Sequence, residues 1–170
     1  RDVAESIHNH LFSWYFTKIV YIHIMLKITR LADYAVVIIC SFRGTGNSII
    51  SAKEISKKTS INKATVNKIL SILVRKKILI ASRGVNGGYK TVKQLDKISI
   101  KELIEAIEGP VALTNCMDNN AGDCNLFDQC VTKNTWGIVN YVIKDALEGI
   151  KILDIPNAST DIINTTSTKI

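Results

Sequence analysis

A chain of 170 residues, 46% of them hydrophobic, is long enough for one domain with a sizeable core and short additional segments. The formal net charge of +7 favours an anionic partner, because a basic surface attracts nucleic acids and other polyanions. Four cysteines are too few for a disulfide-rich secreted scaffold, and no signal peptide with a cleavage site is visible. We therefore expect a cytoplasmic protein.

Residues 1–24 precede the first segment that has the pattern of a folded domain. The stretch His10–Ile24 is aromatic and apolar, but Lys18 and His23 interrupt it, and it is short for a membrane span. We therefore expect residues 1–24 to be a doubtful N-terminal extension without a membrane anchor, and the domain to begin at Met25.

The first helix of the domain is predicted from Thr29, which can cap it, to about Phe42. Its apolar side chains recur at helical spacing, so that one face can pack into a core. They are Leu31, Tyr34, Ala35, Ile38, Ile39 and Phe42. Cys40 lies within this run and is expected to be a small buried side chain.

A helix-turn-helix is predicted next. Ser51 and Glu54 have the spacing of a capping box, which would start a helix over Ala52–Thr59. After a tight connection, Asn62 is a good N-cap for a third helix. The inward side chains of that helix are Val66, Ile69, Leu70, Leu73 and Val74. Two helices joined by a short turn, with an amphipathic second helix, are typical of DNA-binding proteins.

A β-hairpin, the wing, is predicted after the third helix. Ile78–Ala81 and Tyr89–Val92 have the composition of strands, and Val85–Gly88 is their expected turn, because glycine tolerates positive φ. The fold class is therefore mainly α with a small β-hairpin. We expect a winged helix-turn-helix domain over residues 25–110 and a long C-terminal dimerisation helix after it.

A further helix, a polar loop and the long helix complete the domain. Ser99 and Glu102 form a second capping box, and Gly109–Pro110 ends that helix. Residues 111–130 form a loop that contains three cysteines. Residues 131–155 are predicted as a helix with an apolar stripe, which favours dimerisation over core packing within one subunit. The stripe consists of Trp136, Val139, Ile143, Ala146, Leu147 and Ile150. Residues 156–170, rich in Ser, Thr and Asn, are expected to be a flexible tail.

Basic residues are concentrated in the helix-turn-helix and the wing. Residues 51–93 contain eleven Lys or Arg against one acidic residue, whereas residues 95–130 contain seven acidic residues against two lysines. This local cluster favours double-stranded DNA as partner over a merely solvated surface. The side chains expected to face the major groove are Lys63, Thr65, Asn67 and Lys68. The expected phosphate contacts are Lys57, Lys58, Arg75, Lys76 and Lys77, and Arg83 of the wing is expected in the minor groove.

The three-cysteine loop contains Cys116, Cys124 and Cys130, separated by seven and five residues. Structural zinc sites use more closely spaced cysteines and a fourth Cys or His, and the three histidines all lie in residues 1–24. Iron–sulfur clusters are held by thiolates on loops, so the spacing favours such a cluster. Zinc and redox-active or incidental thiols are the alternatives. No catalytic triad, carboxylate pair or phosphate loop is visible, so we do not expect an enzyme.

From Met25 to about Ile155 the chain resembles the IscR/NsrR-type (Rrf-two) family of winged helix-turn-helix iron–sulfur transcriptional regulators. The matching segments are the opening Ile28–Ala35, the wing Ser82–Tyr89, the cysteine loop and the closing Ile150–Ile155. The opening is most similar to regulators of the SUF iron–sulfur assembly system. The resemblance implies a bacterial homodimer on a palindromic operator, acting as a repressor of cluster-assembly or iron-homeostasis genes. It also implies a [2Fe–2S] cluster, or a [4Fe–4S] cluster, on the three cysteines.

The resemblance allows two positions for the fourth cluster ligand. IscR-like members use a histidine three residues after the third cysteine, where this chain has Lys133, a poor ligand when charged. NsrR-like members use an acid early in the first helix, provided by the partner subunit, and Asp33 matches it. An acid at Asp33 could instead stabilise the helix dipole. The alternative functions are a nitric-oxide or redox-sensing repressor of the same fold and, in another class, an iron–sulfur carrier or electron-transfer protein.

Overall fold

The computed structural model describes residues 27–46, 48–84, 86–117, 124 and 126–156. The extension expected over residues 1–24 and the tail expected beyond Pro156 lie outside these residues. In the part of the chain that is described, no helix is both long enough and apolar enough to cross a membrane.

The described residues form helices and one two-stranded antiparallel sheet. In chain order these are α1 (Arg30–Cys40), α2 (Ala52–Thr59), α3 (Lys63–Arg75), β1 (Leu79–Ser82), β2 (Gly88–Thr91), α4 (Ile100–Glu108) and α5 (Lys133–Gly149). Short 3₁₀ turns lie at Leu95–Lys97, Asn115–Met117 and Ile152–Asp154. This arrangement confirms the predicted fold class, which is mainly α with a small hairpin.

Side-chain caps start four of the helices. The cap oxygens accept backbone N–H groups at 2.8–3.3 Å and belong to Thr29, Ser51, Asn62 and Ser99. The two predicted capping boxes are nevertheless only half formed. Glu54 pairs with Lys58 at 3.2 Å and Glu102 pairs with Lys93 at 2.9 Å, because a nearby ammonium group is a stronger partner than a neutral N–H group.

The hydrophobic core lies where α1, α3 and α4 pack together. Its fully buried side chains include Ile38, Ile39, Ile55, Ile69, Leu70, Leu73, Leu79, Leu103 and Ile152. Removing a side chain of this size from water stabilises the fold by about 1.5–3 kcal/mol. Ser60, in the turn between α2 and α3, adopts a left-handed φ of 58°, and the neighbouring Ile61 is buried. Packing of α2 and α3 against this core thus fixes the angle between the two helices.

The wing consists of β1 and β2, in a register that runs from Leu79 opposite Thr91 to Ser82 opposite Gly88. The predicted strands are therefore displaced by one residue. The expected role of glycine in the turn is also corrected. Gly84 has the positive φ, at +113°, whereas Gly88 is outside the left-handed region and is needed for a close backbone contact.

Two helices end earlier than the segments in which the sequence predicts them. α1 ends at Cys40 and continues as a turn. α5 ends at Gly149, well before Pro156, because the chain leaves the helix to pair with the segment before α4. There Ile100 N–H donates to Ile150 O and Ile152 N–H donates to Ile98 O, both at 3.0 Å. The end of α5 is therefore attached to the core of the winged domain.

Candidate functional site

Helix α3, the second helix of the helix-turn-helix, begins in the way that the sequence predicts. Asn62 Oδ1 accepts the N–H of Thr65 at 2.8 Å, which satisfies one backbone donor of the first turn. The opposite face of the helix is buried, so the rotation of α3 about its own axis is set by the core. Of the four side chains predicted to meet bases, Lys63, Asn67 and Lys68 are exposed and Thr65 is half-buried. Lys63, Asn67 and Lys68 are thus accessible from solvent along α3, whereas Thr65 is only partly so.

The predicted phosphate contacts lie at the ends of α2 and α3. Lys57 and Lys58 form the last turn of α2, where cations also stabilise the helix dipole. The three others, Arg75, Lys76 and Lys77, close α3 and are exposed. Lys58 already forms an exposed ion pair with Glu54, which is worth at most about 1 kcal/mol and can be exchanged for a phosphate.

The wing presents Arg83 to solvent at the end of β1. Tyr89 of β2 is half-buried and packs against the core. Sequence reasoning missed a third backbone element here. Ile50 pairs with Tyr89 as an antiparallel bridge beside the two wing strands. A lone buried isoleucine before a helix cap has no pattern that would reveal such a pair.

The cysteine loop is anchored before its first cysteine. Val111 N–H donates to Glu105 Oε1 at 3.3 Å, and Leu113 N–H donates to Asn140 Oδ1 at 3.2 Å. Asn140 is 5% exposed in the middle of α5, and sequence reasoning missed it. A polar residue inside the apolar stripe of α5 was the available signal, since a buried amide needs a hydrogen-bond partner.

The three predicted cluster cysteines are free thiols and half-buried. Cys116 lies in a 3₁₀ turn, with its sulfur 3.1 Å from the Thr114 hydroxyl. Cys124 and Cys130 lie further along the loop. Among the side chains that the structure describes, no three His, Cys, Asp or Glu residues are close enough to hold one metal ion. Thiols are the donors that an iron–sulfur cluster uses, so the three cysteines fit such a cluster chemically. In the described conformation, however, their sulfur atoms are not gathered around one point.

The surroundings of Cys130 favour its thiolate. A hydrogen bond with the Thr132 hydroxyl, at 3.4 Å, is the main cause that lowers the pKa of the Cys130 thiol, and the nearby Lys133 charge adds to it. The Lys133 ammonium lies 3.4 Å from the centre of the Phe127 ring. The Lys133 side chain is thus held over an aromatic face.

Asp33 and Cys40 both belong to α1 but differ in surroundings. Asp33 lies exposed in the first turn. Cys40 is half-buried against the core, and burial raises the pKa of its thiol, although the charge of Arg43 opposes this. Cys40 is thus a packing side chain, although it is half-buried and not fully buried as expected.

A family comparison covers most of the chain. The profile of the Rrf2 family, described as "Iron-dependent Transcriptional regulator", matches residues 28–158. The matched range contains the helix-turn-helix, the wing, the cysteine loop and α5.

Individual relatives agree with this match. The chain is 26% identical over 110 residues to the HTH-type transcriptional regulator NsrR of Oceanobacillus iheyensis, covering 64% of this chain and 75% of that protein. It is 32% identical over 93 residues to the HTH-type transcriptional regulator IscR of Cereibacter sphaeroides, covering 55% of this chain and 58% of that protein, which is less than two thirds of its length. The structure of CymR, the global cysteine regulator of B. subtilis, has a TM-score of 0.59 at 20% identity, covering 76% of this chain and 95% of CymR. The likeness to CymR shows the fold alone.

Proposed function

Because this chain belongs to the Rrf2 family of transcriptional regulators, we propose that it is a homodimeric DNA-binding repressor that senses through an iron–sulfur cluster. Its targets are iron–sulfur assembly genes of the SUF type or other iron-homeostasis genes. Cys116, Cys124 and Cys130 hold the cluster, a [2Fe–2S] cluster by preference, and Asp33 of the second subunit completes the set. The named relatives are transcriptional regulators and not enzymes, which agrees with a binding function.

The observation that carries the proposal is the exposed basic face of the helix-turn-helix and wing. Nine of the ten proposed DNA contacts are exposed, although the helices that carry them are buried on their other side. Lysine and arginine at helix ends can neutralise phosphates, and this supplies affinity without sequence preference. Lys63 and Asn67 on α3 can reach base edges in the major groove, which supplies preference. The two-fold symmetry of a dimer calls for a palindromic operator.

The cluster part of the proposal is supported by the donor set. Three free thiols lie on one loop, and the Thr132 hydroxyl lowers the pKa of the Cys130 thiol. A bound cluster would supply a redox- and iron-sensitive crosslink between these sulfurs. Lys133 is not a ligand in this proposal, because its ammonium is held over Phe127. Asp33 is exposed in the first turn of α1. In this proposal its carboxylate is the fourth ligand, in addition to the three cysteines.

Dimerisation is supported by a side of α5 that differs from the stripe expected from the sequence, because Trp136, Val139, Ile143 and Leu147 of that stripe face Ile104 and Val111 of the same subunit. Ile138, Tyr141 and Val142 are 67%, 68% and 57% exposed on neighbouring turns of this helix. A contiguous apolar surface of this kind is unfavourable in water and is typical of a protein interface. The loop that precedes α5 would then lie close to the second subunit, where Asp33 of that subunit can approach it.

Coupling between the cluster and DNA is supported by the anchors of the loop. Glu105 of α4 and Asn140 of α5 hold the chain just before Cys116. Gathering three sulfurs around a cluster would pull on this segment and thereby change how α5 packs on α4. In this proposal α5 joins the two subunits. A change in its packing therefore changes the distance between the α3 helices of the two subunits. A difference of a few kcal/mol between the two arrangements is enough for a switch.

Anaerobic reconstitution with iron and sulfide tests the sensing part. We expect a brown protein whose visible absorbance is lost when Cys116, Cys124 and Cys130 are all replaced by alanine. The matched control is Cys40→Ala, which removes the remaining cysteine, in α1, and should retain the colour. Mössbauer spectroscopy then identifies the cluster type. A colourless protein with stoichiometric zinc would contradict the iron–sulfur part of the proposal.

Gel shifts with the same samples test the regulatory part. Operator affinity should differ between the cluster-loaded and cluster-free protein, and the triple alanine variant should behave as cluster-free. DNA upstream of the cluster-assembly genes of the source organism is the first probe, and random duplex is the control. Absence of DNA binding in both states would instead favour an iron–sulfur carrier.

A further inference from the structure

The wing is tied to the helix-turn-helix through a pair of backbone hydrogen bonds. Ile50 N–H donates to Tyr89 O at 2.9 Å, and Tyr89 N–H donates to Ile50 O at 2.8 Å. Ile50 directly precedes Ser51, the N-cap of α2, and the Ile50 side chain is buried in the core. The start of α2 and strand β2 are therefore held at a set separation.

The register of the wing explains why Tyr89 is available for this contact. Val92 N–H donates to Ile78 O at 3.0 Å, and hydrogen-bonded pairs alternate along an antiparallel ladder. Ser82 and Gly88 therefore form a hydrogen-bonded pair, while Tyr89 opposite Ala81 does not. The N–H and C=O groups of Tyr89 point to the other edge of β2, where Ile50 satisfies both of them.

Gly88 lies at the point of closest approach between the two segments. A Cβ atom on Gly88 would lie 2.5 Å from Ile50 O, 2.7 Å from Ile50 C and 2.8 Å from Ile49 Cγ2. Two of these atoms are backbone, so a rotamer change cannot relieve the overlap, and β2 would have to move away. The φ of Gly88 is not in the left-handed region, so close packing is the reason for glycine here.

We infer that Gly88 is a positioning residue for DNA binding: its missing side chain sets the wing against α2 and so places Arg83 relative to the recognition helix α3. Ser82, which pairs with Gly88, directly precedes Arg83 in the chain. A shift of β2 at Gly88 is therefore passed to the base of the Arg83 side chain. The inference rests on the proposed contact between Arg83 and DNA, and it adds a residue that need not touch DNA itself.

Fluorescence anisotropy with a duplex selected from a random library by the wild-type protein tests this role, with all variants in the same cluster state. Gly88→Ala should weaken binding about tenfold, as Arg83→Ala should. Gly149→Ala is the matched control, because a Cβ there meets nothing within 4 Å, and it should leave affinity unchanged. In the Arg83→Ala background, Gly88→Ala should add little, since the contact on which it acts is already lost.

The outcomes separate the inference from the function on which it rests. Unchanged affinity in Arg83→Ala would overturn the wing contact and, with it, the role of Gly88. Weaker binding in Arg83→Ala combined with normal binding in Gly88→Ala would overturn the positioning role alone. Losses that add in full in the double variant would do the same, because they would show that Gly88 does not act through Arg83.

A second pair of variants keeps the test valid if Gly88→Ala does not fold. Tyr89→Pro and Tyr89→Val both remove the aromatic side chain, but only proline removes the N–H group that donates to Ile50 O. Circular dichroism checks that both proteins are folded. We expect Tyr89→Pro to bind the duplex more weakly than Tyr89→Val, and equal affinities would overturn the inference.

Discussion

At the scale of single residues, two cysteines differ in the direction in which their surroundings shift the pKa of the thiol. The Cys130 thiol has a lowered pKa because the Thr132 hydroxyl and the charge of Lys133 stabilise its thiolate. The Cys40 thiol has a raised pKa because burial penalises its charged form. Thiolates, not thiols, bind metals and react with electrophiles. Cys130 is therefore suited to ligation, and Cys40 is suited to packing.

Alkylation of reduced, metal-free protein by iodoacetamide tests this contrast. Because reaction follows the thiolate, the rate at Cys130 should rise at lower pH than the rate at Cys40, with peptide mass spectrometry as the measurement. The midpoint of each pH profile separates ionisation from access. Thr132→Val should move the Cys130 profile to higher pH and leave that of Cys40 in place. Coincident profiles in the wild-type protein would contradict the assignment.

At the scale of elements, α4 and α5 together hold the segment that leads into the cysteine loop. Asn140 accepts the N–H of Leu113, and Glu105 accepts the N–H of Val111. The Thr29 N–H and hydroxyl groups donate to Glu108 at the end of α4, at 3.0 and 2.7 Å, which fixes the start of α1 to the same region. The segment before the cysteine loop is thus held by α4, which contributes Leu103 to the core, and by α5.

Replacement of Asn140 tests the anchor. Asn140→Leu leaves the half-buried Leu113 N–H without its side-chain acceptor, and we expect the free energy of unfolding to fall by about 1 kcal/mol or more. Asn134→Leu is the matched control, because Asn134 is exposed on the same helix and should change stability by less than about 0.5 kcal/mol. Urea denaturation measures both. Equal stability of the two variants would show that the anchor contributes nothing.

At the scale of the whole molecule, α5 has two sides with different surroundings. Asn140 faces the subunit's own loop, and Ile152 beyond the helix is fully buried in the winged domain. Ile138, Tyr141 and Val142 on the other side are mostly exposed. A second subunit that covers this side would bury apolar surface on both copies at once, since a two-fold interface uses the same patch twice.

A charge in this patch should therefore disrupt the proposed dimer. Val142→Glu would place two like charges near the two-fold axis, and we expect the dimer dissociation constant to rise roughly hundredfold or more. Leu153→Glu is the matched control, because Leu153 is 55% exposed and lies outside α5. Sedimentation equilibrium gives the association state of both. A dimer that persists in Val142→Glu would place the interface elsewhere.

The sequence by itself determined the features that depend on neighbours along the chain. Thr29, Ser51, Asn62 and Ser99 were recognisable as caps, because a cap bonds a backbone N–H only three residues away. The buried face of α3 followed from helical periodicity. The basic face was visible because its residues are concentrated in one stretch of the chain.

Only the tertiary structure decided the contacts between distant segments. Gly88 against Ile50, Asn140 against Leu113, and the return of Ile152 to Ile98 leave no periodic signal, since each depends on how separate elements pack. For the same reason, the half-formed capping boxes and the end of α5 at Gly149 differ from the sequence pattern. The cysteines follow this division. Their number and order follow from the sequence, whereas tertiary packing determines whether their sulfur atoms come close enough to hold one cluster.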